Sequence, residues 1–134
     1  MIKNGLILLV DDNESLANSF KFVLEAEGFT VILARTSKEA LEKMLMQDFN
    51  LYLIDILLPD LNGDELAKII RKSDKKTPII LITGYSSLQD SKNALDLGIE
   101  EILLKPISSE ELVKACKEAI LLSIEANNDQ VQYY

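Results

Sequence analysis

The chain alternates between two kinds of apolar spacing. Short, nearly uninterrupted runs rich in Leu, Ile and Val fall at about 5–10, 29–34, 50–55, 78–83 and 100–104. Runs of this length bounded by turn residues predict strands buried on both faces. Between them apolar residues return every third or fourth position. The first three stretches are Leu16, Phe20, Val23 and Leu24; Leu41, Met44 and Leu45; and Leu66, Ile69 and Ile70. A sparser fourth holds Leu88, Ala94 and Leu95, and a fifth Leu112, Val113, Cys116, Ala119 and Ile120. Such spacing lays one apolar stripe along a helix. Five strand–helix units in alternation predict an α/β fold, a doubly wound parallel sheet with helices on both faces.

Local chemistry marks the helix ends. Thr36 with Glu39, Ser86 with Gln89 and Ser108 with Glu111 are capping boxes, a hydroxyl followed three residues later by Glu or Gln. Gly28 and Gly98 stand where the first and fourth helices should stop in a left-handed turn. Pro78 opens a strand, where its missing N–H costs least. Residues 1–125 read as one domain. Residues 126–134 (ANNDQVQYY) lose the helical pattern and are expected to form a flexible C-terminal tail.

Composition then narrows the functional classes. A length of 134 residues fits one domain, and 48% hydrophobic residues suffice for a core. A net charge of −8 opposes binding to nucleic acid or to an anionic membrane. No apolar run reaches the roughly 20 residues of a membrane helix, and the first residues lack a signal-peptide layout, so a cytoplasmic protein is expected. Histidine is absent. That removes imidazole acid–base catalysis, imidazole metal ligands and a phosphohistidine on this chain. Cys116 is the lone cysteine and reads as a small buried hydrophobe.

In doubly wound sheets ligands bind beyond the carboxyl ends of the strands. The first strand ends in Asp11 and Asp12, the third in Asp55, the fourth in Thr83 and the fifth in Lys105-Pro106. The second ends in Ala34-Arg35 and adds nothing comparable. Each residue alone has a plain explanation: a helix-start acid, a turn residue, a strand residue, a solvated charge. Together they place three carboxylates, a hydroxyl and an amine on one edge. Close carboxylates require a cation, and all-oxygen ligation suits Mg²⁺. Mg²⁺ and a lysine can neutralise an arriving phosphoryl group while a hydroxyl donates to it. One of the carboxylates could then attack phosphorus and become an acyl phosphate.

The stretches ILLVDDNESL, LYLIDILLPDLNGDEL, PIILITGYSS and ILLKPIS resemble, in order, the receiver domain of two-component response regulators over about residues 5 to 125. The block ITGYSS with LLKPIS looks like receivers of transcriptional activators and also of hybrid sensor kinases. The resemblance implies a flavodoxin-like (βα)5 sheet in strand order 2-1-3-4-5. It implies Asp55 as the phospho-accepting residue. Mg²⁺ would be held by Asp12 directly, Asp11 through water, Asp55 and the carbonyl of Leu57. Thr83 matches the switch hydroxyl and Lys105 the lysine that pairs with the phosphoryl group, with a cis Lys105–Pro106 bond. The implied donor is a histidine kinase or histidine phosphotransfer protein. The implied activity is phosphorelay signalling: acceptance and slow loss of a phosphoryl group rather than turnover of a substrate.

Ile102 departs from the pattern, since the family carries Tyr or Phe three residues before the lysine. It raises the alternative of a degenerate receiver that acts as a phosphorylation-independent interaction module. Leu57 and Tyr85, two residues after the acceptor and the switch hydroxyl, should flank the approach of water and tune dephosphorylation. A phosphatase with an aspartate nucleophile would carry D-x-D on the first strand, whereas here the acids are adjacent. No Gly-rich G-K-[ST] loop is present for a nucleotide. A second apolar strip, Leu121, Leu122 and Ile124, offers either a longer core contact or a homodimer surface through the fourth and fifth helices.

Overall fold

A computed structural model describes residues 4–84 and 96–132. Its strands are β1 (Leu6–Val10), β2 (Thr30–Ala34), β3 (Leu51–Asp55), β4 (Ile79–Thr83) and β5 (Glu101–Leu104). The helices are α1 (Glu14–Ala26), α2 (Ser37–Met44), α3 (Gly63–Ser73) and a C-terminal helix, here α4 (Ser109–Gln132). The fourth helical stretch expected from Leu88, Ala94 and Leu95, with its Ser86–Gln89 box, lies outside the described residues.

All strands pair in parallel in the order β2-β1-β3-β4-β5. β1, β3 and β4 are buried at every position, which is why they read as continuous apolar runs. Two clusters cover the sheet. One sets Ile7, Leu9, Leu53 and Ile82 against Phe20 and Leu24 of α1 and Leu112, Cys116 and Ala119 of α4. The other sets Leu8, Ile54 and Leu81 against Ala40 of α2 and Leu66, Ala67 and Ile70 of α3. Each full burial of a Leu or Ile side chain contributes about 1.5–3 kcal/mol. Burial in this core pushes the Cys116 thiol up to about 12, so it packs as an inert apolar group.

The caps follow the sequence closely. Thr36 Oγ1 accepts from Glu39 N at 3.0 Å and Ser108 Oγ from Glu111 N at 3.1 Å. Gly28 (φ 92°) and Gly98 (φ 66°) take the left-handed conformation. Three expectations need correction. The C-terminal helix continues to Gln132, where the sequence pattern had the helix give way to a tail after 125. Residues 126–132 contain no Gly or Pro, so loss of the apolar stripe does not end the helical backbone. Leu45, placed on the α2 stripe, lies just past the helix and is exposed, whereas Leu41 and Met44 pack on the core. Leu121, Leu122 and Ile124 are exposed rather than added to the core.

Candidate functional site

The ladder sets where each strand releases its chemistry. Val10 pairs with both Ala34 and Ile54, so β1 is central, and Asp11 emerges beside Asp55. Asp11 N still donates to Ala34 O at 3.0 Å, fixing its backbone. Thr83 pairs with Leu104, and Lys105 N donates to Thr83 O at 2.8 Å. Register alone thus brings Asp11, Asp55, Thr83 and Lys105 to one edge. The Lys105–Pro106 bond is cis, as the resemblance implies.

At that edge Asp55 is 5% exposed, Thr83 1% and Asp11 2%. Lys105 Nζ lies 2.6 Å from Asp55 Oδ2, and Leu57 N donates to Asp55 Oδ1 at 3.0 Å. Both oxygens of Asp55 are therefore compensated. Asp11 is not so well served. Asn13 N donates to its Oδ1 at 2.9 Å, but its buried Oδ2 has no hydrogen-bond partner among the described residues. Burial raises the Asp11 carboxyl above its ordinary value, and the charges of Asp55 and Asp12 push the same way. The Asn13 N–H and the Lys105 ammonium oppose that rise without cancelling it.

An orphaned buried carboxylate oxygen beside a second carboxylate is a site short of positive charge. Asp12 is exposed next to it, and Leu57, 52% exposed, stands in the loop that leaves Asp55. Among the described residues no three acidic or thiol side chains converge into a ready cage for a metal. The three-carboxylate cluster expected from Asp11, Asp12 and Asp55 is thus not preassembled, and Mg²⁺, which keeps several waters and takes one or two carboxylates, asks for fewer protein ligands. The residues present fit Mg²⁺.

Tyr85 lies outside the described residues. Ile102 is half-buried on β5 opposite Leu81 and packs with Leu97 and Ile99 against the second core cluster. Four contributors escaped sequence reasoning. Asn13 caps α1, its Oδ1 accepting from Leu16 N at 3.1 Å, and an Asn just before a helical stretch is a readable signal. Gly63 approaches the site's backbone so closely that a Cβ there would sit 2.4 Å from the Asp55 carbonyl oxygen. Asp60 bonds α2 across a loop, and Arg71 bonds four backbone carbonyls. Neither has a local signature.

The family model for the response regulator receiver domain matches residues 7–117. This chain belongs to the response regulator receiver domain family. It is 34% identical over 119 residues to the uncharacterized transcriptional regulatory protein YkoG of Bacillus subtilis, covering 89% of this chain and 52% of that protein. It is 37% identical over 107 residues to the response regulator ArlR of Staphylococcus epidermidis, covering 80% of this chain and 48% of that one. The chain thus spans about half the length of these relatives. Among solved structures, a CheY-like receiver domain protein from Methanospirillum hungatei superposes with a TM-score of 0.86 at 35% identity, covering 92% of this chain and 99% of that one. The response regulator protein TrrA of Thermotoga maritima, solved in complex with Mg(2+)-BeF, superposes with a TM-score of 0.79 at 32% identity, covering 85% and 97%. Among the described residues no helix is long and apolar enough to cross a membrane.

Proposed function

We propose that this receiver accepts a phosphoryl group on Asp55 from the phosphohistidine of a separate kinase or phosphotransfer protein. A carboxylate oxygen of Asp55 attacks phosphorus in line, an O–P bond forms, and the P–N bond to the donor imidazole breaks with its electrons on nitrogen. The observation that carries the reading is the half-compensated acidic edge: Asp55 held by Lys105, and Asp11 Oδ2 without a donor among the described residues. Asp12, Asp55 and the Leu57 carbonyl would hold Mg²⁺, with Asp11 acting through water. When bound, Mg²⁺ supplies charge neutralisation for the phosphoryl oxygens. Lys105 is positioned to move its ammonium from the Asp55 carboxylate to a phosphoryl oxygen, and the Thr83 hydroxyl donates to another. The Leu57 side chain at the mouth offers no base to activate water, so the acyl phosphate persists. Ile102 cannot act as a ring switch, which leaves the pocket competent and mutes the response of β5.

The TrrA structure, with its Mg(2+)-BeF, supports the metal assignment by similarity. The exposed Leu121, Leu122 and Ile124 supply a face for a homodimer, which sedimentation at rising concentration would register. The function is tested by intact mass after incubation with Mg²⁺ and a small phosphoramidate. One added phosphoryl group in the parent and none in Asp55→Asn is expected. Full single phosphorylation of Asp55→Asn would refute the assignment.

A further inference from the structure

The loop from Ile56 to Asn62 carries the Leu57 carbonyl, and its course is set at several points. Leu57 N is held by Asp55 Oδ1 at 3.0 Å, and Gly63 N donates to Ile56 O at 2.8 Å. Both contacts lie within the loop's own ends. Asp60, at its middle, reaches a different element. Its Oδ1 accepts from Ser37 N at 3.0 Å and from Leu61 N at 2.9 Å, and its Oδ2 accepts from Lys38 N at 3.0 Å. Ser37 Oγ returns a bond to Leu61 O at 2.9 Å.

These bonds complete the start of α2. Thr36 takes the third-residue N–H of the helix through its hydroxyl and the fourth through its carbonyl, at 3.0 Å each. The first two N–H groups, Ser37 and Lys38, remain for Asp60. A helix N-terminus favours a carboxylate there. Those N–H groups, Ser37 first, hold the Asp60 carboxyl below its ordinary value, so it stays charged at neutral pH.

We propose that Asp60 is a positioning residue for the phospho-accepting site: by docking on α2 it sets where the Leu57 carbonyl stands relative to Asp55 and the metal. This inference rests on the reading of Asp55 and Leu57 given above. Without the Asp60 clasp the loop keeps its two ends and the Ser37 Oγ–Leu61 O bond but loses both bonds from the first N–H groups of α2. The carbonyl then samples more positions, and metal binding weakens while the chemistry on Asp55 stays intact.

The test measures Mg²⁺ binding by calorimetry, and beside it the rate of phosphorylation by a small phosphoramidate across a Mg²⁺ titration, in the parent, Asp60→Ala, Asp60→Asn and Asp74→Ala. Asp74→Ala removes the acceptor of Tyr52 Oη, Lys76 N and Thr77 N, away from both the loop and α2, so it controls for a general loss of stability. Asp60→Ala should raise the Mg²⁺ dissociation constant roughly tenfold, the scale of lost outer-shell support for a metal ligand. The half-saturating Mg²⁺ concentration for phosphorylation should rise in step. Asp60→Asn retains one acceptor and should shift in the same direction by less, which keeps the test informative if Asp60→Ala misfolds. Asp74→Ala should lose stability and keep the parent's Mg²⁺ affinity. An unchanged Mg²⁺ affinity in both Asp60 variants, or an equal shift in Asp74→Ala, would overturn the inference while Asp55 phosphorylation stands. Failure of the parent to take up phosphate would instead overturn the reading beneath it.

Discussion

The two edges of the sheet each gather acids, and they treat them in opposite ways. At the amino-terminal edge Asp74 follows α3. Its Oδ1 accepts from Lys76 N and Thr77 N at 3.1 and 3.0 Å, and its Oδ2 from the Tyr52 hydroxyl at 3.2 Å. Arg71 reaches over this turn to Asp74 O, Thr77 O, Leu97 O and Gly98 O. Although partial burial works against it, hydrogen bonding leaves the Asp74 carboxyl below its ordinary value, while burial raises the Tyr52 hydroxyl. At the carboxyl-terminal edge Asp11 keeps one buried oxygen without a partner among the described residues, and its carboxyl is raised. A fully satisfied acid holds structure together. An acid left unsatisfied costs stability, and on the proposed reading a cation and a phosphoryl group would complete it.

The largest test of this contrast is steric. Gly63→Ala would place a Cβ 2.4 Å from Asp55 O and 2.9 Å from Ile56 Cα, both backbone atoms with little freedom to yield. Chemical denaturation should show a loss of about 3 kcal/mol, with slower phosphoryl uptake because Asp55 itself moves. A variant as stable and as reactive as the parent would show that the acceptor's backbone is not braced there.

Next in size, Asp74→Ala strips the Tyr52 hydroxyl and two N–H groups of their acceptor. A loss of about 2 kcal/mol is expected, with phosphoryl uptake unchanged in the fraction that is folded. Reduced uptake by fully folded Asp74→Ala would break the division of labour between the edges.

Asp11→Asn should do the reverse. Without Mg²⁺ it removes an uncompensated charge and should raise stability by about 1 kcal/mol at neutral pH. The pH dependence separates the two acids further. The native Asp11 carboxyl is raised, so the folded state holds that proton more tightly than the unfolded chain. Its contribution therefore worsens as pH rises from 3.8 to its native value, and the gain in Asp11→Asn should vanish in acid. Asp74 is lowered, so its contribution is present above 3.8 and is lost as pH falls toward its native value. Denaturation of the Mg²⁺-free proteins between pH 3 and 7 checks both signs.

The smallest effect concerns the mouth of the open edge. Leu57→Asn puts a polar side chain where an exposed leucine stands, and loss of phosphate should quicken about fivefold, near 1 kcal/mol of barrier. An unchanged rate would mean that the side chain does not border the path of water.

Much of this was legible because both devices at work are short-range. A parallel strand buried on both faces ends where its apolar run ends, so Asp11, Asp55, Thr83 and Lys105 could be placed from the runs alone. Thr36, Ser108, Gly28 and Gly98 signalled their caps through local hydrogen bonding and local backbone angles. The docking of Asp60 on α2, the bond from Tyr52 to Asp74 and the reach of Arg71 to Leu97 could not be read this way, because those partners lie on other elements or at distant positions. Nothing in Pro59-Asp60-Leu61 announces that the acid will dock on α2. The reach of the last helix to Gln132 was missed for a different cause: an apolar stripe reports packing, and a helix can outrun what it packs on.

The claim at the centre of the account is that the open edge is completed by a cation. It is tested most directly by the stability of the parent and of Asp12→Asn with and without Mg²⁺. At ten times its dissociation constant Mg²⁺ should stabilise the parent by about 1.4 kcal/mol. Asp12→Asn, lacking a proposed ligand, should gain little at the same concentration. Equal stabilisation of the two proteins, or none in the parent, would contradict it.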